Sequence, residues 1–288
     1  LLKQLKSGLG GEGVDLVSGG PPCQSFSLAG MRDHTHQRNQ LPGEFAKFVG
    51  LIKPRIALLE NVSGILSPFT IDGAKYYAWF EVAKAFAKES YIPLCLKVNA
   101  KYVGAAQNRP RFLLIALRED VYKQLKKGSE KDDLLIQALV NSAALTKVMK
   151  KIKTIEKKYA NNKIGLTEMK LTINKIKPKY GCLQYFDTDK DDAFFRNTLL
   201  SPLIIQKNPK NSKDLLVSVK EAIDDLRING DPESQYVKKI NSIYLNQYKQ
   251  ALNKSMNHEL RQNKNLVRAR FRLYQVLNKL PKEESQEI

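Results

Sequence analysis

Cys23 lies in a loop whose composition restricts the backbone, and a thiol held in this way can act as a nucleophile. The loop reads Gly19-Gly20-Pro21-Pro22-Cys23-Gln24-Ser25-Phe26-Ser27 and follows an apolar run, residues 14–17, typical of a short buried strand. Because Gly admits unusual dihedrals and Pro fixes φ, the loop is predicted to be a stiff, non-helical turn. Open α/β sheets carry their chemistry beyond the carboxyl ends of strands. Taken alone, however, the loop favours a structural cysteine, since free Cys is usually a small buried hydrophobe.

Two further groups that could do chemistry stand beside other apolar runs. Glu60 comes directly after the run at residues 55–59, which predicts a second buried strand. A partly desolvated carboxyl group at that position could donate a proton. Arg109 and Arg111 precede a third apolar run, residues 112–117, and their i,i+2 spacing places both side chains on one side of a strand. Two arginines so placed suit an anionic or planar polar partner, although surface arginines are the simpler reading of this pair alone.

Helices are predicted between these strands. Apolar residues recur at helical spacing from Pro42 to Ile52, and a further helix is expected over about Tyr76 to Lys88. An extended segment, Leu94 to Tyr102, and a loop, Gly104 to Pro110, lead into the third apolar run. This order of strands and helices predicts an α/β fold with a largely parallel sheet.

The composition indicates a globular protein with a polyanionic partner. The 288 residues hold 48 Lys and Arg against 29 Asp and Glu, a net charge of +19, which favours nucleic acid or anionic membrane. Alternatively, the excess of lysine reflects a lysine-rich proteome and only makes the protein surface more soluble. No apolar stretch is long enough to span a membrane. The three cysteines have neither disulfide-framework nor metal-ligand spacing, and His34 and His36 have no further ligand nearby, so we expect a reducing, cytoplasmic location and no metal site.

Most of the basic excess lies after about residue 120, where the chain is poor in glycine and mostly helical in pattern. The longest predicted helix is Leu134–Tyr159, a capping box begins at Ser218, and a final helix is expected over about Asn265 to Leu280. We therefore divide the chain into a core, residues 1–120, and a basic, mostly helical part, residues 121–288.

Taken together, three ordered motifs resemble those of the DNA cytosine-5 methyltransferases. The loop around Cys23 is similar to the nucleophile loop of that family, Leu58-Leu59-Glu60-Asn61-Val62 to its Glu-Asn-Val motif, and Gln107-Asn108-Arg109-Pro110-Arg111 to its Gln-x-Arg-x-Arg motif. The resemblance is good over about residues 12–117 and weaker beyond. It implies a partial Rossmann-like sheet of the S-adenosylmethionine-dependent methyltransferases. Residues 121–288 would then be a basic insertion or the start of the region that recognises the DNA target.

The resemblance implies a role for each motif. The Cys23 thiolate would add to carbon 6 of cytosine and make carbon 5 nucleophilic, Glu60 would protonate ring nitrogen 3, and Arg109 would hold the carbonyl oxygen of the base. Asn61 would fix the Glu60 loop, and Arg111 would brace the loop or a phosphate. We expect cofactor contacts from Pro21 and Pro22. We expect substrate contacts from seven residues: Gln24, Ser25, Ser27, Asn61, Val62, Gln107 and Arg111.

The same resemblance implies the cofactor and partners. S-adenosylmethionine would donate the methyl group, and the target cytosine would be flipped out of double-stranded DNA because the reacting atoms are inaccessible inside a duplex. A restriction endonuclease of the same restriction–modification system is an expected partner. The Gly-rich cofactor turn and the closing motifs of the family are missing, so we expect an internal fragment that binds S-adenosylmethionine weakly and methylates nothing by itself.

Three other functions remain open from the sequence. An RNA cytosine methyltransferase, such as the tRNA-directed branch of the family, would share the catalytic core. A nucleic-acid-binding protein with a decayed methyltransferase core is the second, although Cys23, Glu60 and Arg109 are all intact. The third is a thymidylate-synthase-like enzyme, which also adds a thiolate to a pyrimidine but lacks the Glu-Asn-Val and Gln-x-Arg-x-Arg motifs.

Overall fold

A five-stranded sheet is the framework of the part of the chain that the structure, a computed structural model, describes. That part comprises residues 8, 13–21, 41–71, 73–103, 105, 107–130 and 133–199. Its strands are β1 (Leu16–Gly19), β2 (Ile56–Val62), β3 (Phe69–Ile71), β4 (Ala74–Tyr76), β5 (Tyr91–Asn99), β6 (Pro110–Arg118) and β7 (Phe186–Asp187). Its α-helices are α1 (Leu41–Ile52), α2 (Ala78–Lys88), α3 (Glu119–Gly128), α4 (Leu134–Ala160), α5 (Leu166–Ile176) and α6 (Asp192–Asn197).

The strands of the main sheet lie in the order β1-β2-β6-β5-β7. β1 runs parallel to β2 and β7 parallel to β5, whereas β6 is antiparallel to both of its neighbours. The predicted α/β fold is therefore confirmed, but the sheet is mixed rather than largely parallel: β1, β2, β5 and β7 run in one direction and β6 is the exception. The exception has a physical cause: the loop from Asn99 to Pro110 is too short for the crossover that a parallel connection needs, so β5 and β6 form a hairpin.

The reversal of β6 decides where the sequence motifs meet. The carboxyl ends of β1 and β2 lie side by side, and β6 begins beside them. We refer to this line of strand ends as the sheet edge. The start of β6, which carries the arginines, consequently lies beside the ends of β1 and β2.

One face of the sheet is buried under α1, α2 and α4. Alternate residues of β2, Ala57 and Leu59, are fully buried, and so are the alternate residues Phe112 and Leu114 of β6. Burying each large side chain contributes about 1.5–3 kcal/mol. The core continues through the helices with further buried side chains: Val49, Trp79, Phe86, Leu145, Met149 and Ile152.

Several predicted elements need correction. The strand predicted as buried at residues 14–17 is β1, Leu16–Gly19, and none of its residues is buried. The extended segment predicted from Leu94 to Tyr102 is β5, which runs from Tyr91 to Asn99. The strand predicted at residues 55–59 continues to Val62, because its ladder with β6 extends to the pairing of Val62 with Arg111. Glu60 is thus inside the strand rather than after it. The helix predicted from Tyr76 begins at Ala78, because Tyr76 pairs with Phe69 in the β3–β4 hairpin.

The long helix α4 matches its prediction within one residue at its end and covers part of β5. Asp133 caps its amino terminus by accepting hydrogen bonds from the amides of Leu135 and Ile136. Ser142 and Thr146 are buried, and their hydroxyl groups donate to the carbonyls of Pro93 and Tyr91 in β5. The helix therefore provides hydrogen-bond donors to β5 carbonyls that lie beyond the pairing of β5 with β7.

The chain divides into two compact units, Leu1–Leu216 and Val217–Ile288, and the described residues lie in the first. The division proposed from the sequence near residue 120 stays a prediction. The capping box at Ser218 and the helix predicted at Asn265–Leu280 lie outside the described residues. No described helix combines the length and apolarity needed to cross a bilayer.

Candidate active site

The end of β1 lies against β2 and α1 with no room for larger side chains. Gly19 pairs with Leu59, and a Cβ atom on Gly19 would lie 2.6 Å from Cε2 of Phe45, which is closer than such contacts allow. A Cβ atom on the next residue, Gly20, would lie 3.3 Å from Oε2 of Glu60. Gly19 therefore lets the end of β1 pack closely against Phe45 of α1, and Gly20 lets the backbone that leads into the Cys23 loop approach the Glu60 side chain.

Asn61 joins the β1 loop to β2. Its side chain is 1% exposed, and its Nδ2 donates a hydrogen bond to the carbonyl of Pro21 at 3.3 Å. Its Oδ1 accepts from the amide of Val62 at 2.9 Å. Because this buried side chain forms hydrogen bonds with both the β1 loop and β2, it fixes the position of the loop relative to the strand. The sequence predicted that Asn61 fixes the Glu60 loop, and the structure adds its contact with Pro21.

Glu60 forms an ion pair with Arg111. Arg111 Nε lies 2.9 Å from Glu60 Oε1, and the side chains are 23% and 47% exposed, respectively. The register explains the contact: Arg111 pairs with Val62, and Val62 and Glu60 point to the same face of β2. Arg111 thereby braces the Glu60 side chain and leaves part of it open to solvent.

Arg109 lies at the same edge of the sheet, just before β6, and is exposed. Its main chain is fixed by two hydrogen bonds, from its amide to Oδ1 of Asn99 at 3.0 Å and from the amide of Ala100 to its carbonyl at 3.2 Å. Within the described residues, no hydrogen bond or ion pair engages its guanidinium group. Gln107 is also exposed. A charged group without a partner among the described residues is available to a ligand.

Several predicted site residues lie outside the described residues. They are Pro22, Cys23, Gln24, Ser25 and Ser27. His34 and His36, which were not predicted to form a site, also lie outside these residues. The structure therefore brings together Pro21, Glu60, Asn61, Val62 and Arg111, and places Arg109 beside them.

The other two cysteines have environments that disfavour a thiolate. Cys95, in the middle of β5, is buried, and burial raises the pKa of its thiol well above the usual range. Desolvation also raises the pKa of Cys182. Neither thiol has the lowered pKa that activates a cysteine.

Two features were not found from the sequence. The sequence pattern places Asn99 only within an extended segment, yet in the structure it ends β5, is buried and contacts the Arg109 loop. A polar residue at the end of an apolar strand, followed by the loop with the arginines, was the available signal. The second feature is a cavity of about 330 Å³ between α3 and α4, lined in part by Ile92, Tyr122 and Lys147. None of the site residues above lines this cavity.

Comparisons with known proteins agree with these motifs. The family model described as C-5 cytosine-specific DNA methylase matches residues 3–279. The Type II methyltransferase M.DdeI of Desulfomicrobium norvegicum is 39% identical over 107 residues, which are 37% of this chain and 25% of that protein. The Type II methyltransferase M1.HphI of Haemophilus parahaemolyticus is 37% identical over 109 residues, 37% of this chain and 28% of that protein.

Among solved structures, the Entamoeba histolytica methyltransferase EhMeth aligns with a TM-score of 0.31 and 19% identity, over 40% of this chain and 34% of that one. The chain spans about a quarter of the length of the two curated relatives.

Proposed function

The chain belongs to the C-5 cytosine-specific DNA methylase family, and on this premise we propose that the protein transfers a methyl group from S-adenosylmethionine to carbon 5 of cytosine in DNA. The observation that carries the proposal is the convergence at one sheet edge. There the loop that leads to Cys23 is tied to β2 by Asn61, and Glu60 and Arg109 lie at the same edge.

Cys23 is the proposed nucleophile. Carbon 5 of cytosine is too weakly nucleophilic to attack a methyl sulfonium, and addition of a thiolate to carbon 6 moves electron density to carbon 5. Carbon 5 would then take the methyl group from the sulfonium, breaking the bond between the methyl carbon and sulfur so that a neutral thioether is left. A base would remove the carbon 5 proton, and the electrons of that carbon–hydrogen bond would re-form the ring double bond as the thiolate leaves. The raised pKa values of Cys95 and Cys182 support the choice of Cys23 among the three cysteines.

Glu60 and Arg109 would stabilise the charge that the thiolate brings into the ring. A Glu60 proton delivered to nitrogen 3, and the Arg109 guanidinium at the carbonyl oxygen, would act on neighbouring atoms of the base. Arg111 engages Glu60 as an ion pair, so a proton has to reach the Glu60 carboxylate before it can be delivered to nitrogen 3. Gln24, Ser25, Ser27, Val62 and Gln107 remain proposed substrate contacts.

The described residues alone do not make a complete site for S-adenosylmethionine, whose sulfonium supplies the methyl group. At the end of β1 they offer Gly20 and the Pro21 carbonyl, which already accepts from Asn61. The carboxylate beside Gly20 is Glu60, which Arg111 engages through Oε1. Pro21 and Pro22 stay proposed cofactor contacts.

Duplex DNA with a flipped cytosine is the proposed substrate. The net charge of +19 supplies affinity for phosphates, and α4 contributes exposed lysines at positions 147, 151, 157 and 158. A flipped base is required because the enzyme must reach both faces of carbon 5 and carbon 6. The Type II names of the relatives support a role beside a restriction endonuclease of the same specificity.

Methylation by the protein at its full natural length tests this function. Purified protein is incubated with S-adenosylmethionine and either duplex DNA or tRNA, and the nucleosides are then digested and analysed by mass spectrometry. We expect 5-methylcytosine in the DNA, and none with Cys23→Ser. Methylation confined to tRNA, methylation at another atom, or full activity of Cys23→Ser would contradict the proposal.

A further inference from the structure

Asn99 is buried at the edge of the sheet where the proposed active site lies. It is the last residue of β5 and is 3% exposed. A polar side chain at that depth must satisfy its hydrogen-bonding groups within the protein. Asn99 does so entirely through the loop that connects β5 to β6.

Each polar atom of the Asn99 side chain contacts that loop. Oδ1 accepts hydrogen bonds from the amides of Arg109 at 3.0 Å and Lys101 at 3.3 Å. Nδ2 donates to Oδ1 of Asn108 at 2.8 Å. One side chain therefore holds both the beginning and the end of the loop, and its contacts at the end are with Arg109 and the residue before it.

The position of Asn99 is itself fixed from the other side. Its amide donates to Oγ1 of Thr188 at 3.1 Å, and the Thr188 amide donates to the carbonyl of Lys97 at 3.0 Å. Thr188 is 3% exposed, and Lys97 forms an ion pair with Asp187 at 2.9 Å. Asn99 is thus clamped between the β7 segment and the Arg109 loop.

We propose that Asn99 is a positioning residue that acts through Arg109. The inference rests on the proposed function, in which the Arg109 guanidinium contacts the base. That guanidinium has no partner among the described residues, so what these residues fix is the Arg109 main chain, from which the side chain starts. The Asn99 side chain holds that main chain, and a displacement of about 1 Å at a catalytic group costs about 10²-fold in rate.

The experiment measures methyl transfer by the protein at its full natural length and its Asn99→Ala, Arg109→Ala and doubly substituted variants. We expect Asn99→Ala to lower kcat by about 10–10²-fold with a smaller change in KM, because the bound base loses a contact made in the transition state. We expect the double variant to be no slower than Arg109→Ala, since Asn99 acts only through that residue. Losses that multiply in the double variant would overturn the proposal.

Two further variants separate positioning from general stability. Asn99→Asp keeps an oxygen that accepts from both amides, but its second oxygen faces Oδ1 of Asn108, so the Asn108 amide group has to turn round and donate to it. With that turn kcat should fall less than in Asn99→Ala; an equal fall would contradict the proposal. Ser142→Ala removes a different buried hydrogen bond, to Pro93 on the same strand, and should leave kcat unchanged. A comparable fall in kcat for Ser142→Ala would show that any weakening of β5 has the same effect.

A readout independent of activity distinguishes failure of this inference from failure of the proposed function. Amide hydrogen exchange at Lys101 and Arg109 should accelerate in Asn99→Ala and not in Ser142→Ala. Unchanged exchange at both amides would overturn the positioning role whatever the enzyme does. Wild-type protein that methylates no cytosine would instead refute the proposed function, with the exchange result still deciding whether Asn99 holds the loop.

Discussion

Replacing Asn61 with alanine should damage catalysis far more than a comparable loss of stability elsewhere in the sheet. The substitution removes the hydrogen bond from Nδ2 to the Pro21 carbonyl and the one from the Val62 amide to Oδ1. It therefore releases the loop that leads to Cys23 from the strand that carries Glu60. Because Asn61 is 1% exposed, water does not replace these bonds without rearrangement.

The size of each effect follows from these contacts. An unsatisfied buried amide costs about 1–3 kcal/mol, and we expect the free energy of unfolding to fall by about that amount. The Pro21 carbonyl belongs to a partly exposed residue, so solvent can satisfy it once the loop moves. Movement of the loop by about 1 Å would misplace the thiol and lower kcat/KM by about 10²-fold.

Thr146→Val provides the matched control. It removes another buried hydrogen bond, from Thr146 Oγ1 to the carbonyl of Tyr91 at the opposite end of β5, at a cost that we place in the same range of about 1–3 kcal/mol. Urea unfolding and steady-state methylation are measured for both variants of the full-length protein. Thr146→Val should lose stability but keep kcat/KM within about twofold of the wild type. If Asn61→Ala behaves in the same way, the contact with Pro21 does not position the nucleophile loop and the reasoning fails.

Three further predictions follow from the described residues. Gly19→Ala should lower the free energy of unfolding by about 1–3 kcal/mol in urea titrations, because its Cβ would lie 2.6 Å from the Phe45 ring; an unchanged midpoint would contradict this packing. Iodoacetamide at neutral pH should modify the exposed Cys182 and spare Cys95 until the protein is unfolded, as peptide mapping would show, whereas labelling of native Cys95 would disprove its burial. The hydrogen bond from Arg118 lowers the pKa of Asp120 to about 2. The ionised Asp120 therefore stabilises the folded protein above about pH 4, and this stabilisation is lost as the pH falls through about 2. Since both partners are partly exposed, Asp120→Asn should lower the free energy of unfolding by less than about 1 kcal/mol at neutral pH. The difference from the wild type should shrink as the pH falls, and a difference that grows in acid would contradict this reasoning.

The sequence predicted the elements of the sheet well because their signals are local. Apolar runs bounded by Gly and Pro marked β1 and β2, and helical periodicity marked α1 and α4. Whether β6 runs parallel or antiparallel depends on the length of the loop before it, which the sequence contained but the general α/β pattern obscured.

Side-chain partners were harder to predict because they depend on strand register. Both arginines were expected on one side of a strand, but which of them meets Glu60 follows from the pairing of Arg111 with Val62. The hydrogen bond from Asn61 to the Pro21 carbonyl and the contacts of Asn99 likewise join residues from different strands or loops. No local pattern encodes contacts of this kind.

Trapping of a covalent adduct tests the central claim most directly. Full-length protein is incubated with S-adenosylmethionine and duplex DNA that carries 5-fluorocytosine, from which the last proton-removal step cannot occur, and the product is analysed by denaturing gel and peptide mass spectrometry. The account predicts a stable adduct on the peptide that contains Cys23, and none with Cys23→Ser. An adduct on another residue, or methylation of ordinary DNA without any adduct on 5-fluorocytosine DNA, would contradict it.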